Sequence, residues 1–113
     1  TKFYFKKALP WALKRRDTLA AFYTYKYMGD GYEHHQKLDS TLYMYDLCNT
    51  YLPKNNYRLK AFLLNDRAYT YQLLGDYNKA TKLTLEALIY AEKSKNDIQI
   101  ASINLSVADN LAL

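Results

Sequence analysis

Apolar residues along this chain return every three or four positions, and short polar breaks interrupt them. That is the period of an α-helix burying one wide stripe. Before Pro53 the stripe runs through Leu38, Leu42, Tyr45, Cys48 and Leu52. After Asn56 it runs through Leu64, Ala68, Tyr71 and Leu74, and beyond Gly75 through Ala80, Leu83, Ala87 and either Tyr90 or Ala91. The breaks fall near Arg16-Asp17, around Gln36, over residues 52–56, at Gly75-Asp76 and over residues 94–97. The spacing predicts helices near 1–15, 18–34, 37–52, 57–74, 77–94 and 98–112.

The breaks carry their own chemistry. Gly75 can take the left-handed conformation that closes a helix, and Asp76 can then cap the next one through its carboxylate. Asp17 and Asp97 are placed to cap two more. Pro53 cannot continue a helix, so the segment before it ends there.

The helices repeat one another. Phe22, Tyr25, Gly29 and Tyr32 share their spacing with Ala61, Leu64, Ala68 and Tyr71, and again with Ala101, Asn104, Ala108 and Leu111. The small residues Gly29, Ala68 and Ala108 lie 39 and 40 residues apart. A second register links Phe5-Ala8-Leu9, Tyr45-Cys48-Asn49 and Thr84-Ala87-Leu88. A period near forty built from two helices marks a helical solenoid. Small residues suit the point where paired helices cross, because a large side chain would hold the backbones apart. The expected organisation is one domain over residues 1–113. It holds complete repeats at 22–60 and 61–100, the second helix of a truncated repeat with its linker at 1–21, and the first helix of another at 101–113. The apolar Trp11, Leu105, Leu111 and Leu113 would then lack part of their cover. This suggests a longer array, or self-association through the terminal helices.

This pattern resembles the tetratricopeptide repeat (TPR) family. The match is carried by Leu64, Ala68 and Tyr71, the turn Gly75-Asp76-Tyr77, then Ala80 and Ala87-Leu88. In the earlier repeat, Met28-Gly29 with Tyr32 is similar to the family's Leu-Gly-x-x-Tyr element, and the run from Leu38 to Leu47 is similar to second helices common in bacterial TPR regulators. Departures are Arg67 where leucine is usual, Gln36 for the turn glycine, Thr41 for an alanine and Asn104 for a large apolar residue. The resemblance implies an all-α superhelix of about six helices in antiparallel pairs, whose first helices line a ligand groove. It implies a protein- or peptide-binding scaffold, serving as the interaction or sensing segment of a larger bacterial regulatory protein, cytoplasmic or periplasmic. The wall of that groove would be Tyr23, Lys26, Tyr27, Asp30 and His34 from one repeat, and Phe62, Asn65, Asp66, Tyr69 and Gln72 from the other. Lys26 resembles one member of the set with which some TPR domains grip a terminal carboxylate, but Asp30, Asp66 and Ser106 stand where that clamp needs amide or basic groups. A groove mixing tyrosine with aspartate suits a peptide with basic or apolar side chains.

Composition adds three points. The chain holds 13 tyrosines in 113 residues, and Tyr23, Tyr27 and Tyr69 lie off the apolar stripes. Tyrosine combines area, few rotors and a hydroxyl, which suits recognition surfaces; packing against adjacent helices is the plainer alternative. The net charge of +5 is concentrated in Lys6, Lys7, Lys14, Arg15 and Arg16. A basic stretch can contact nucleic acid, but no recognition helix or aromatic-plus-basic motif accompanies it, so a solvated helix face is the simpler reading. A purely structural spacer is the other alternative. The single cysteine, Cys48, cannot form an internal disulfide and sits on an apolar stripe, as a small core residue would.

Catalytic and metal chemistry find little footing. His34 and His35 are adjacent, Asp30 and Glu33 are near, but no spaced third ligand completes a metal site. No phosphate loop, nucleophile elbow or zinc spacing is present, and Gly29-Asp30-Gly31 has no strand before it. The expectation is a non-enzyme without a cofactor. No apolar run reaches the ~18 residues of a membrane span.

Overall fold

The computed structural model describes residues 17–112, with side-chain surroundings over residues 17–105. The expected first helix, the basic stretch Lys6 to Arg16, Trp11 and Leu113 lie outside the described residues, as do the side chains of Ser106, Ala108 and Leu111. Among the described residues the chain is all-helical: α1 (Thr18–His34), α2 (Leu38–Thr50), α3 (Tyr57–Leu73), α4 (Tyr77–Ser94) and α5 (Asp97–Ala112). Helix α1 packs on α2, α3 on α4, and α4 on α5. Adjacent helices packed as pairs are the arrangement of an α-α helical repeat. The chain divides into two compact units, residues 1–54 and 55–113, with the boundary just after Pro53. No described helix is long and apolar enough to cross a membrane.

The helix ends follow the side chains at the breaks. Asp17 Oδ1 accepts from the Ala20 N–H at 2.9 Å, Asn56 Oδ1 from Leu59 at 3.1 Å, and Asp76 Oδ1 from Lys79 at 3.2 Å. Each satisfies one donor that a helix start leaves unpaired. For α5 the cap is Asn96, which accepts from the Gln99 N–H at 3.0 Å; Asp97, expected to cap, sits inside the first turn. There its charge still favours the positive end of the helix dipole.

The turns that close α1, α3 and α4 share one backbone pattern. Gly75 is left-handed at φ +85°, its N–H donates to the Gln72 carbonyl, and the Asp76 N–H donates to Tyr71. Gln36 takes the same place after α1 at φ 60°, with its own N–H on Glu33 and that of Lys37 on Tyr32. Lys95 closes α4 likewise at φ 56°, with bonds to Glu92 and from Asn96 to Ala91. This is the Schellman closure, made once with glycine and twice with residues that carry a left-handed strain. Gln36 therefore does the work of the missing glycine 39 residues before Gly75.

In the first unit the core contains Phe22, Gly29, Thr41, Tyr45 and Cys48, and the Cys48 thiol donates to the Phe22 carbonyl at 3.4 Å. In the second, Ala61 and Leu64 of α3, Ala87 and Ala91 of α4 and Ile103 of α5 form one cluster, flanked by Leu83, Leu88, Tyr90 and Ile100. Ala91 rather than Tyr90 is the fully buried member of that pair. Leu74 departs from the expected stripe: it is exposed, because it caps the C-terminus of α3 just as the chain turns away. Ala101 and Asn104 depart as well, both lying exposed on α5.

Tyr45 explains why position 29 is glycine. A Cβ there would stand 2.5 Å from Tyr45 Cε1 and 2.8 Å from its Cδ1, with Met44 Cβ at 3.3 Å. The Tyr45 ring is buried and its hydroxyl is tied to Asp30, so it cannot swing aside. Gly31 has nothing within 4 Å of its added Cβ. Gly29→Ala should therefore destabilise the protein by about 1–3 kcal/mol despite its better helix propensity. Gly31→Ala should stabilise it by about 0.5–1 kcal/mol. Urea denaturation of the two variants checks both signs.

Candidate functional site

The α1 face carrying Tyr23, Lys26, Tyr27, Asp30 and His34 is built from residues spaced three and four apart, so all five share one side of the helix. Their environments differ sharply. Lys26 is only 1% exposed. Its Nζ donates to Asp30 Oδ1 at 2.7 Å and Oδ2 at 3.0 Å, and lies 5.2 Å from the Tyr45 ring centroid. The Tyr45 hydroxyl donates to the same Asp30 Oδ1 at 2.6 Å. Lys26 thus stands inside the packed pair, not on a groove wall, and its charge is neutralised by its own helix. This removes the feature by which Lys26 resembled a carboxylate-gripping lysine. The burial is legible in hindsight: the large ring of Tyr45, set beside Gly29, roofs over the lysine stem.

Beside this triad, whose Lys26 and Tyr45 are buried, the aromatic side chains remain open. Tyr27 is 55% exposed and stacks on the half-buried Tyr23, with centroids 6.1 Å apart and planes at 23°. The Asp30 side chain keeps 43% of its surface in water. His34 is exposed near the end of α1, and its ring meets His35 edge-to-face at 5.4 Å. The two adjacent rings can meet because His35 has already left the helix as its C-cap. Among the described residues, no group of three His, Cys, Asp or Glu side chains is placed to hold a metal.

On α3, Phe62, Asn65, Asp66, Tyr69 and Gln72 likewise share one face. Tyr69 is 51% exposed and Phe62 is exposed, while Asn65, Asp66 and Gln72 are half-buried. Thr70, one position beyond Tyr69, faces inward and donates its hydroxyl to the Asp66 backbone carbonyl at 3.1 Å. Each helix thus offers two aromatic rings one to two turns apart, Tyr23 with Tyr27 and Phe62 with Tyr69. What these faces present is exposed aromatic area flanked by half-buried polar side chains.

Other tyrosine clusters escaped the sequence reading because they join different helices. Tyr57 and Tyr90 stack at 6.0 Å, and Lys93 Nζ lies 5.5 Å from the first ring centroid and 5.2 Å from the second. Lys79 lies over Tyr71 at 4.6 Å. Tyr25 stacks on Tyr51 at 5.5 Å. Burial pushes the Tyr25 hydroxyl above its ordinary pKa of 10.0, and the neighbouring Tyr51, Tyr43 and Cys48 add to the shift.

Two outcomes follow from these environments. Asp30→Asn removes the carboxylate to which the buried Lys26 ammonium donates and should cost roughly 3 kcal/mol, more than Lys26→Met, whose remaining Asp30 can turn to water. Chemical denaturation of the two variants orders them. For Tyr25 the folded pKa lies above the unfolded one, so the folded state holds its proton longer. Its contribution is fully present below pH 10 and is lost as pH rises through the folded value. Melting temperature should fall less between pH 9 and about 11 in Tyr25→Phe than in the parent chain.

Compared with models of known protein families and with curated proteins, the chain matches none.

Proposed function

We infer that this chain is a protein- or peptide-binding helical-repeat segment of the TPR type. The observation that carries this reading is the pair of aromatic faces on α1 and α3. Tyr27 and Tyr69 are each about half exposed on helices whose opposite sides are locked into a core. Large aromatic rings held open on a rigid scaffold, with few rotors to freeze, are what recognition surfaces are made of. The repeat register of the sequence, the matching Schellman closures and the paired packing support the TPR-type assignment. Service as the interaction or sensing segment of a larger bacterial regulatory protein rests on the resemblance of the Leu38 to Leu47 run alone.

The state of Asp30 narrows the ligand. Its carboxylate already accepts two bonds from Lys26 and one from Tyr45. A cationic ligand side chain gains little from a carboxylate neutralised in this way. The favoured partner of the α1 face is therefore a peptide with apolar or ring side chains that lie on Tyr23 and Tyr27, and Phe62 with Tyr69 offers the α3 face a contact of the same kind. Binding, rather than catalysis, is the role that these faces suit.

Selection of a randomised peptide library against the chain should recover sequences rich in apolar and proline residues. Tyr27→Ala and Tyr69→Ala should each weaken the selected peptides by about tenfold, or ~1.4 kcal/mol, with helical content unchanged. Selected peptides that bind both variants as tightly as the parent would defeat the assignment. Strong, salt-sensitive binding to duplex or single-stranded DNA would favour the nucleic-acid reading instead.

A further inference from the structure

Lysines rest on tyrosine rings at both ends of the seam between α3 and α4. At one end Lys79 of α4 lies 4.6 Å from the Tyr71 ring centroid. At the other, Tyr57 of α3 stacks on Tyr90 of α4, and Lys93 lies 5.5 Å from the first centroid and 5.2 Å from the second. Lys60 of α3 lies over Tyr90 as well, at 6.0 Å. Tyr57, Lys79 and Lys93 are exposed, while Lys60, Tyr71 and Tyr90 are half-buried. Described helices precede and follow this pair in the sequence, so the seam is open with its chain neighbours in place.

An ammonium drawn to a ring face is restrained there while its outer side still meets water. An anion that approaches it loses less side-chain entropy than one that must immobilise a free lysine. The same contacts occupy the ring faces. Tyr57 and Tyr90 lie against each other, and lysines lie over Tyr71 and Tyr90. A nucleic-acid base needs an open ring face on which to stack, so these rings suit carboxylates better than bases.

The charges along the seam are ordered. Lys79, Lys82, Glu86, Tyr90 and Lys93 follow one another at three- and four-residue steps, so they share one side of α4. Glu86 stands seven residues from Lys79 and seven from Lys93, and the sign therefore runs positive, negative, positive. Fourteen positions separate Tyr57 from Tyr71, and fourteen separate Lys79 from Lys93. At the helical rise that is about 21 Å, which an extended peptide covers with about six or seven residues. We propose that this seam binds an extended peptide with acidic side chains at both ends and a basic or neutral residue in the middle. One acidic end meets Lys79 and Lys82, the other meets Lys60 and Lys93, and the middle faces Glu86. The site lies on the α4 side of α3, away from Phe62 and Tyr69, and does not rest on the reading of the aromatic faces.

The test is fluorescence anisotropy of a labelled peptide, Glu-Glu-Ala-Lys-Ala-Glu-Glu, titrated with the full chain at low ionic strength. The peptide should bind, and added salt should weaken the contact. Lys79→Gln with Lys93→Gln alters only exposed positions, so circular dichroism should be unchanged while the dissociation constant rises at least about tenfold. Lys6→Gln with Lys7→Gln removes the same charge elsewhere and should leave it within about twofold. Glu86→Lys should shift the preference at least about threefold from this peptide towards an all-glutamate peptide of equal length. A parent chain that does not bind at millimolar concentration overturns the proposal. So does a Lys6, Lys7 variant that loses as much affinity as the seam variant, or a Glu86 variant with unchanged preference. Displacement of the peptide by oligothymidylate at lower concentration than by the unlabelled peptide would make the seam a nucleic-acid site and overturn it too.

Discussion

Close approach of paired helices is the constraint on which the rest of this structure depends. In the first unit Gly29 lies against the Tyr45 ring, with no room for even one added carbon. In the second, the positions 39 residues later are Ala68 and Thr84, both buried. A glycine set against a tyrosine in the first unit corresponds to an alanine and a threonine in the second, so one helix gains a carbon where the other gives up a ring. Interiors packed at crystal-like density tolerate that exchange and little else. It also explains why the repeat is hidden in the sequence: matching positions of the two units carry different residue types.

The same closeness makes the interior polar in a particular way. Thr24, Thr41, Thr70 and Thr84 are all buried, and each hydroxyl donates to the backbone carbonyl four residues earlier in its own helix. A buried hydroxyl satisfied within its own turn asks nothing of the helix opposite. Threonine can therefore replace alanine at a crossing without a partner being built for it. Lys26 follows a similar logic with a charge: its carboxylate partner is one turn along the same helix, and Tyr45 supplies only a cover and one further bond. Self-contained polar satisfaction leaves the helix pairs free to pack by shape alone.

Most of the fold was legible for reasons that these interactions make plain. Helix ends were readable because residues such as Asp17 and Asp76 cap through their own side chains, a local signal. Gln36 could be placed at a turn without glycine because the period located it. Neighbouring residues decide what the sequence hid. Asn96 and Asp97 are both good caps, and one residue of phase separates them. Lys26 looked like surface because the ring that encloses it lies 19 residues away on another helix. Ala101 and Asn104 looked like core because periodicity tells which residues share a face, and says nothing of whether that face is covered. The aromatic faces were half legible: Tyr27 and Tyr69 were separable from the stripes by spacing, whereas the Tyr57–Tyr90 stack needs two helices to be brought together.

The distribution of the tyrosines then bears on recognition. Those that face inward are tied by hydroxyl or ring to specific partners, as Tyr45 is to Asp30 and Tyr25 to Tyr51. Tyr27 is held differently, by stacking on Tyr23 while most of its own surface meets water. A ring restrained by a neighbour but still open has already lost much of its side-chain entropy, so a ligand that covers it loses less on binding. The Lys26–Asp30–Tyr45 triad beneath leaves that helix face without net charge, so the binding proposed for it turns on area and shape rather than on charge. The device that closes the first helix pair thus also sets the chemistry of its outer face, and the two cannot be varied independently.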